Sequence, residues 1–329
     1  MNPSFQKEFA TPFNPNRFHN LHFAFFNPEW IKLVYDISHY CYPNEAKKRY
    51  KLFFRSLFWS KLTGLWYQKL ANSELLSTLV QQERLVATKL HRHILRLDNP
   101  IEKRIRILLE HYTIAEQLLD PELYQQILIN DGLLVSQLEI SPDHIFDLLL
   151  GYGGYPGKEG ELAFYWQQRG TNSYLARVSF TILQKENSLS LYIGGIQGAH
   201  GKNSREKVGE ASKLCSGLSP MRAVMEAIFA FAKLIDATEI LAVADEQQIS
   251  QKKSTKHFSY NSFWQELGGA CKLDNDYSLP LQPKRKDIFD APTKRRAKYR
   301  RQHAHLDAIF QDTLNVLSPK VKNQHPGKE

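Results

Sequence analysis

Apolar positions along the chain first recur with a helical period. Between Asn44 and Leu70, Ala46, Tyr50, Phe53, Phe54, Leu57, Phe58 and Leu62 fall at spacings of three and four, with Lys47, Lys48, Lys51, Arg55 and Lys61 between them. That pattern predicts one amphipathic helix with a wide apolar stripe. Ser73 is placed to cap a second helix running to about Leu95, because its hydroxyl can accept from first-turn amides that have no intrahelical partner. Asn99-Pro100 opens a third helix, with Asn99 as cap and Pro100 at the first helical position, and Ile101, Ile105, Leu108 and Leu109 follow at helical spacing. Asp120-Pro121 starts a fourth by the same signal. The chain to about residue 130 therefore reads as helical.

The period changes near Asp131-Gly132. The stretch Gly151 to Gly160 is rich in turn formers, and three strand-like runs follow it. Glu161 to Gln167 is aromatic and aliphatic. Tyr174 to Gln184 alternates through Leu175, Val178, Phe180 and Ile182. Leu189 to Ile196 is apolar enough for the middle of a sheet. Short connections predict an antiparallel meander. Gln197 to Leu218 reads as a long loop of Gly, Ser and Lys, and loops of that length in compact domains usually carry function.

Ser219-Pro220 then caps and opens a strong helix with Val224, Ile228 and Phe231 on one face, and Glu239 to Ala244 is a short buried strand. Strand, helix and strand in that order predict a crossover inside a mixed sheet. Phe258 to Leu267 is an aromatic helix closed by Gly268-Gly269. Tyr277 to Leu281 is a last strand. Pro292 to Leu317 is a final helix with Thr293 as its approximate cap. The predicted class is α+β: a helical region over 1–130, a mixed but mostly antiparallel sheet with flanking helices over 131–317, and a flexible tail over 318–329. By analogy of element order alone, this resembles the acyl-CoA N-acyltransferase fold. There a meander ends in a splayed strand, and the next helix points its amino-terminal end at the cofactor pyrophosphate.

Composition narrows the class. Hydrophobic content of 42% and aromatic content of 12% are globular values. No run of eighteen apolar residues is present, so no transmembrane helix is expected, and the first twenty residues lack the basic start and apolar middle of a secretory signal. The expected location is the cytoplasm, with attachment to the inner membrane face by charge left open. Cys41, Cys215 and Cys271 are far apart and odd in number, which points to reduced thiols rather than a disulfide framework or a metal pair. The formal net charge is +9, and residues 284–301 alone carry nine Lys or Arg against two Asp. A surplus concentrated in this way predicts an anionic partner.

Three stretches are candidates for chemistry. Gly194 to Gly201 ends a strand, and free amides at Gln197, Gly198 and Gly201 could cradle an anion, helped by the positive helix end at Pro220 to Arg222. The bland alternative is a glycine-rich turn, since Rossmann and P-loop spacings are absent. His200 and His257, in loops beside the predicted sheet, are the candidate acid–base groups. The pairs His91/His93 and His303/His305 sit two apart on predicted helices and point in different directions, so no metal site is expected. Tyr260 to Gly269 is the second stretch, with Tyr260 and Trp264 as pocket-lining candidates and Phe263 and Leu267 as core. The third is the basic helix start, where Arg296, Tyr299, Arg300 and Arg301 are candidate contacts for a phosphate, a lipid headgroup or CoA. Nucleic acid is the weaker reading, because no zinc finger, helix-turn-helix or RNA-recognition signature accompanies the charge.

These stretches, taken in order, resemble the VirK/YbjX family of Gram-negative bacteria. The residues that carry the resemblance are Gly195-Ile196-Gln197-Gly198, Gly217-Leu218-Ser219-Pro220, Tyr260 through Gly269, Leu279-Pro280 and Pro292 through Arg301, with His111-Tyr112 in the helical half. The resemblance covers roughly residues 25–312. It departs at Gln302, where the family usually has a basic residue, and around 241–257. Membership implies a role at the cell envelope, tied to virulence, to surface display of outer-membrane protein and to resistance against cationic peptides. It carries over no catalytic residue. Two functions follow as expectations. One is an acyl or aminoacyl transferase acting on a lipid or surface component, with an acyl-CoA as donor. The other is a non-enzymatic peripheral adaptor holding anionic lipid or an envelope protein through the basic helix.

Overall fold

The computed structural model describes residues 12–18, 21–129, 132–154, 157–171, 173–201, 203–250, 258–285 and 287–321. The chain divides into two compact units. One takes the residues up to His93 together with Asn99–Leu109, and the other takes Ile94–Asp98 and everything from Glu110 onward.

The first unit is helical. Helices α1 (Pro28–Cys41), α2 (Ala46–Phe58), α3 (Ser60–Asn72) and α4 (Glu74–Gln82) lead into a 3-10 stretch, Arg84–His91, and the unit also holds the first turns of α5 (Ile101–Leu118). Asn27 caps α1 by accepting from the Glu29 and Trp30 amides, and Ser73 caps α4 by accepting from Leu76 N at 3.2 Å. The core is aromatic. Trp30, Trp66 and Tyr67 are fully buried, and the Trp66 indole donates to the Ala87 carbonyl.

Two sequence expectations change here. The helix beginning at Ser73 stops at Gln82 and gives way to the 3-10 stretch. The stripe predicted over Asn44 to Leu70 is broken at Trp59, and α2 buries Leu52, Ser56 and Leu57 rather than the aromatic series. Tyr50, Phe54 and Phe58 point outward, 57%, 61% and 72% exposed. Helix α2 carries apolar side chains on two faces, and packing against α1 buries only one of them.

The second unit is built on a sheet of eight strands in the order β1-β2-β3-β4-β5-β6-β8-β7. The strands are β1 (Leu133–Ser141), β2 (His144–Tyr152), β3 (Leu162–Gln168), β4 (Tyr174–Lys185), β5 (Ser188–Gly198), β6 (Glu239–Ala242), β7 (Ala270–Cys271) and β8 (Tyr277–Leu279). Every pairing is antiparallel except β5 with β6. The architecture is thus α+β with a mostly antiparallel sheet. The expected meander is longer than three strands, since β1 and β2 form a hairpin ahead of it.

Helices α6 (Pro121–Ile129), α7 (Ser204–Leu214), α8 (Pro220–Leu234), α9 (Tyr260–Glu266) and α10 (Thr293–Leu317) complete the unit. Asp120 caps α6 by accepting from the Glu122 and Leu123 amides. Helix α8 lies on the sheet, with Phe231 against Phe164 and Phe180 at ring distances of 6.2 and 5.5 Å. Helix α10 packs on α8 and on β1, where Ser136 Oγ donates to Asp312 at 2.8 Å.

Three further expectations are corrected. The predicted loop after Gln197 contains α7, entered through Asn203 in the left-handed region (φ +62°) and left through Ser216 and Gly217 (φ +56° and +87°). Composition hides this helix, because its surface is polar and Ala211 is its one buried residue. Thr293 does not cap α10: Pro292 stands at the cap position and offers no side-chain bond. Ser318–Lys320 form a 3-10 turn and Val321 bridges to Leu119, so the expected tail does not begin at 318, and its remainder, 322–329, lies outside the described residues.

Candidate functional site

The geometry begins with a defect in β5. Ser179 pairs with Gly195 and Phe180 with Ile193, so Gly194 is an extra residue bulged between them. A side chain at Gly194 would meet the Glu159 carbonyl at 2.3 Å, and one at Gly195 would meet the Glu159 carboxylate at 2.4 Å. Both glycines thus admit the 157–161 segment against the strand. Below the bulge β5 pairs with β6 through Ile193↔Ala242, and Val243 N donates to Ile193 O. Beyond it β5 continues to Gly198 without β6.

Helix α9 fills the parting. The Tyr260 hydroxyl donates to Ile196 O at 2.7 Å and accepts from Ile196 N at 2.9 Å. The Trp264 indole donates to Val243 O at 2.9 Å. Both side chains are buried, and burial pushes the Tyr260 phenol far above its ordinary value. Tyr260 and Trp264, expected to line a pocket, therefore serve the backbone of the parted strands.

On the strand face at this point Glu159, Arg177 and Gln197 gather. Gln197 Nε2 donates to Glu159 Oε2 at 2.7 Å, Arg177 donates to Gln197 Oε1 at 3.3 Å, and Arg177 lies 3.6 Å from Glu159 Oε2. Tyr174 and His200 complete the group: each reaches Gln197 Oε1 at 3.4 Å. Gln197 is thus spoken for by its neighbours. His200 is exposed beside it, and His257 lies outside the described residues.

The amino-terminal end of α8 is the second half of the site. Ser219 accepts from Arg222 N at 3.3 Å, as its sequence position predicts. A side chain at Gly198 would sit 3.3 Å from Met221, so the strand end and the helix start are neighbours even with α7 between them in sequence. Gly201, at φ +94°, has open space where a side chain would stand.

The basic start of α10 lies on the α7–α8 turn just ahead of Pro220. Gln302 Nε2 donates to Gly217 O at 3.1 Å, Arg301 Nε donates to Ser216 Oγ at 3.2 Å, and the Lys298 side chain covers Gly217. Arg296 is turned the other way, donating to the Phe289 and Ala291 carbonyls. Arg300 is exposed.

Between α8, α10 and the 284–285 segment is a cavity of about 420 Å³ lined by Arg222, Glu266, Lys284, Arg285, Tyr299, Gln302, His303 and Leu306. Three strong cations face one carboxylate across it. Glu266 stands 3.7 Å from Arg222 and is itself well exposed. Arg285 is held from below by Glu226 and Asp307. Burial raises the Glu226 carboxyl above its ordinary value, and Arg285 opposes that rise. The volume is that of a small-ligand site, and Arg222 and Lys284 are the cations in it that are not already matched by two carboxylates, as Arg285 is.

Of the residues expected from sequence, the cavity brings together Arg222 and Tyr299. Arg301 braces the adjoining turn, whereas Gln197, His200, Tyr260 and Trp264 belong to the β5 bulge. Lys284 and Arg285 entered the sequence reading only as part of the basic segment, and His303 only as half of a histidine pair set aside as a metal site. Sequence alone could not bring them together, because the chain fold between 285 and 303 decides which cations converge.

These features define an α+β protein with a parted central strand and a cation-lined cavity at a helix start. The chain belongs to the family described as a protein of unknown function, DUF535, whose model matches residues 42–315. It is 31% identical over 267 residues to the uncharacterized protein YbjX of Escherichia coli strain K12, covering 79% of this chain and 81% of that one. An uncharacterized protein of Haemophilus influenzae is 27% identical over 213 residues, covering 64% of this chain and 70% of its own length. A second protein of that organism is 28% identical over 188 residues, covering 56% and 59%.

Proposed function

We propose that this protein binds a phosphate-bearing ligand in the α8–α10 cavity and transfers an acyl or aminoacyl group to a lipid or surface component of the cell envelope. The observation that carries the reading is the convergence of Arg222, Lys284, Arg285 and Tyr299 on one cavity beside the start of α8. The bulge and parting of β5 from β6 resemble the acyl-CoA N-acyltransferase arrangement by analogy of element order only, because α9 occupies the parting itself. In this reading Arg222 and Lys284 hold the phosphates of an acyl-CoA, and His200, beside the strand end, takes the proton from the acceptor.

Thermal-shift measurements with CoA, its thioesters and inorganic pyrophosphate test it. Saturation at a hundredfold over Kd adds ~2.7 kcal/mol, a rise of about 5 °C for a chain of this size. Arg222→Ala with Lys284→Ala abolishes that rise. No shift with any of these ligands overturns the reading.

A second reading rests on the exposed cations Lys294, Arg295 and Arg300 at the start of α10. There the protein is a peripheral adaptor for anionic lipid or an envelope protein. Cations at a helix start oppose its dipole, so this helix end gains by meeting an anion. Binding to anionic vesicles that is lost in Lys294→Gln/Arg295→Gln/Arg300→Gln, with no shift by CoA compounds, selects this reading.

A further inference from the structure

We infer that the outer face of α2 docks on an anionic membrane surface, a site separate from the α8–α10 cavity and independent of the function proposed for it. Helix α2 has five Lys or Arg in thirteen residues and no acidic residue. Its outward face carries Tyr50, Phe54 and Phe58, one turn apart, with the exposed Lys47 a turn before Tyr50 and the exposed Lys51 a turn before Phe54. The three rings are more than half exposed. Phe54 continues inward through Phe53, at a ring distance of 5.3 Å, to the half-exposed Tyr35 of α1 at 6.4 Å. Phe54, Phe53 and Tyr35 thus form a chain of ring contacts, with Tyr50 and Phe58 one helical turn to either side of Phe54.

Charge complementarity and shape select the occupant. Lysines interleaved with phenylalanines fit an interfacial helix lying in the plane of a bilayer, its rings at the acyl boundary and its amines at the phosphates. The rings stand on the outside of a helix along about 12 Å of its axis. A ridge of that kind meets a surface, whereas aromatics that stack nucleotides work beside a groove that tracks the strand. A protein partner would have to supply anions between apolar side chains, which an anionic headgroup layer supplies everywhere.

The test is co-sedimentation of the full chain with vesicles of phosphatidylcholine, with and without phosphatidylglycerol. Binding is expected only with phosphatidylglycerol and is weakened by salt. Lys47→Gln/Lys51→Gln lowers it about thirtyfold at low salt, at ~1 kcal/mol per lysine. Phe54→Ser/Phe58→Ser lowers it at least tenfold with an unchanged melting temperature, because both side chains are exposed. In Phe58→Trp, brominated acyl chains quench the added tryptophan emission. Vesicle binding that ignores the Phe54 and Phe58 changes, or that is lost only on removing the α10 cations, overturns the inference. So does a Phe54-dependent dimer, or retention of RNA in place of vesicles.

Discussion

Tyr260 shows how one hydroxyl can stand in for a strand. It supplies Ile196 with both a donor and an acceptor where β6 no longer runs beside β5. Tyr260→Phe leaves a buried amide and carbonyl without partners, and the expected cost is about 2–3 kcal/mol, read as a lower urea midpoint at unchanged m. His91 is a second residue with a readable consequence. Burial, reinforced by the charges of Arg55 and Arg104, lowers its imidazole from 6.5 to about 3. Folded His91 declines a proton that unfolded His91 takes, so its contribution is present above pH 6.5 and is lost as pH falls toward 3. Unfolding free energy should fall by ~1.4 kcal/mol per pH unit across that window from this residue alone. In His91→Gln the pH dependence should be shallower by that amount. The sequence revealed Ser73, Asp120 and Ser219 as caps, because a cap acts on amides two or three residues away. It could not reveal that Tyr260 serves Ile196, because that bond joins two distant elements.

Elements were legible where the local apolar pattern was strong, whether as a run buried on both faces, as in β4 and β5, or as one apolar stripe beside a cap. The long strands β4 and β5, the capped α8 and the glycine-closed α9 all follow from local patterning. The α2 pattern gave the helix but not its buried face. Two apolar faces satisfy the same spacing, and the neighbour α1 decides between them. The α7 helix was missed for the opposite reason: it buries almost nothing and left no apolar period to read. The β5 bulge belongs to this scale too. Gly194→Ala forces a methyl into the Glu159 carbonyl, and the expected loss is about 1–3 kcal/mol, measurable by chemical denaturation. The same change at Gly201, with open space around it, costs only the strain of its positive φ.

At the scale of the molecule, the cavity became visible only after folding. The basic segment was plain in the composition, yet α10 spends its cations in different directions. Arg296 holds the preceding turn, Arg301 braces Ser216, and Tyr299 and His303 face the cavity. Helix α10 is also core, since Leu306, Ile309, Thr313 and Leu317 are buried. Truncation after Ala291 should therefore abolish cooperative melting by circular dichroism rather than yield a folded protein lacking its basic segment, and point substitutions are the way to dissect that charge. The placement of α10 on β1 also has a consequence for biosynthesis. Strand β1 leaves the ribosome well before α10, the helix that packs on it, which begins only at Thr293. At 5–20 residues per second the interval is roughly ten to thirty seconds. Throughout it a nascent sheet edge stands uncovered, a window in which a chaperone or a second unfinished chain competes for the place that α10 will take.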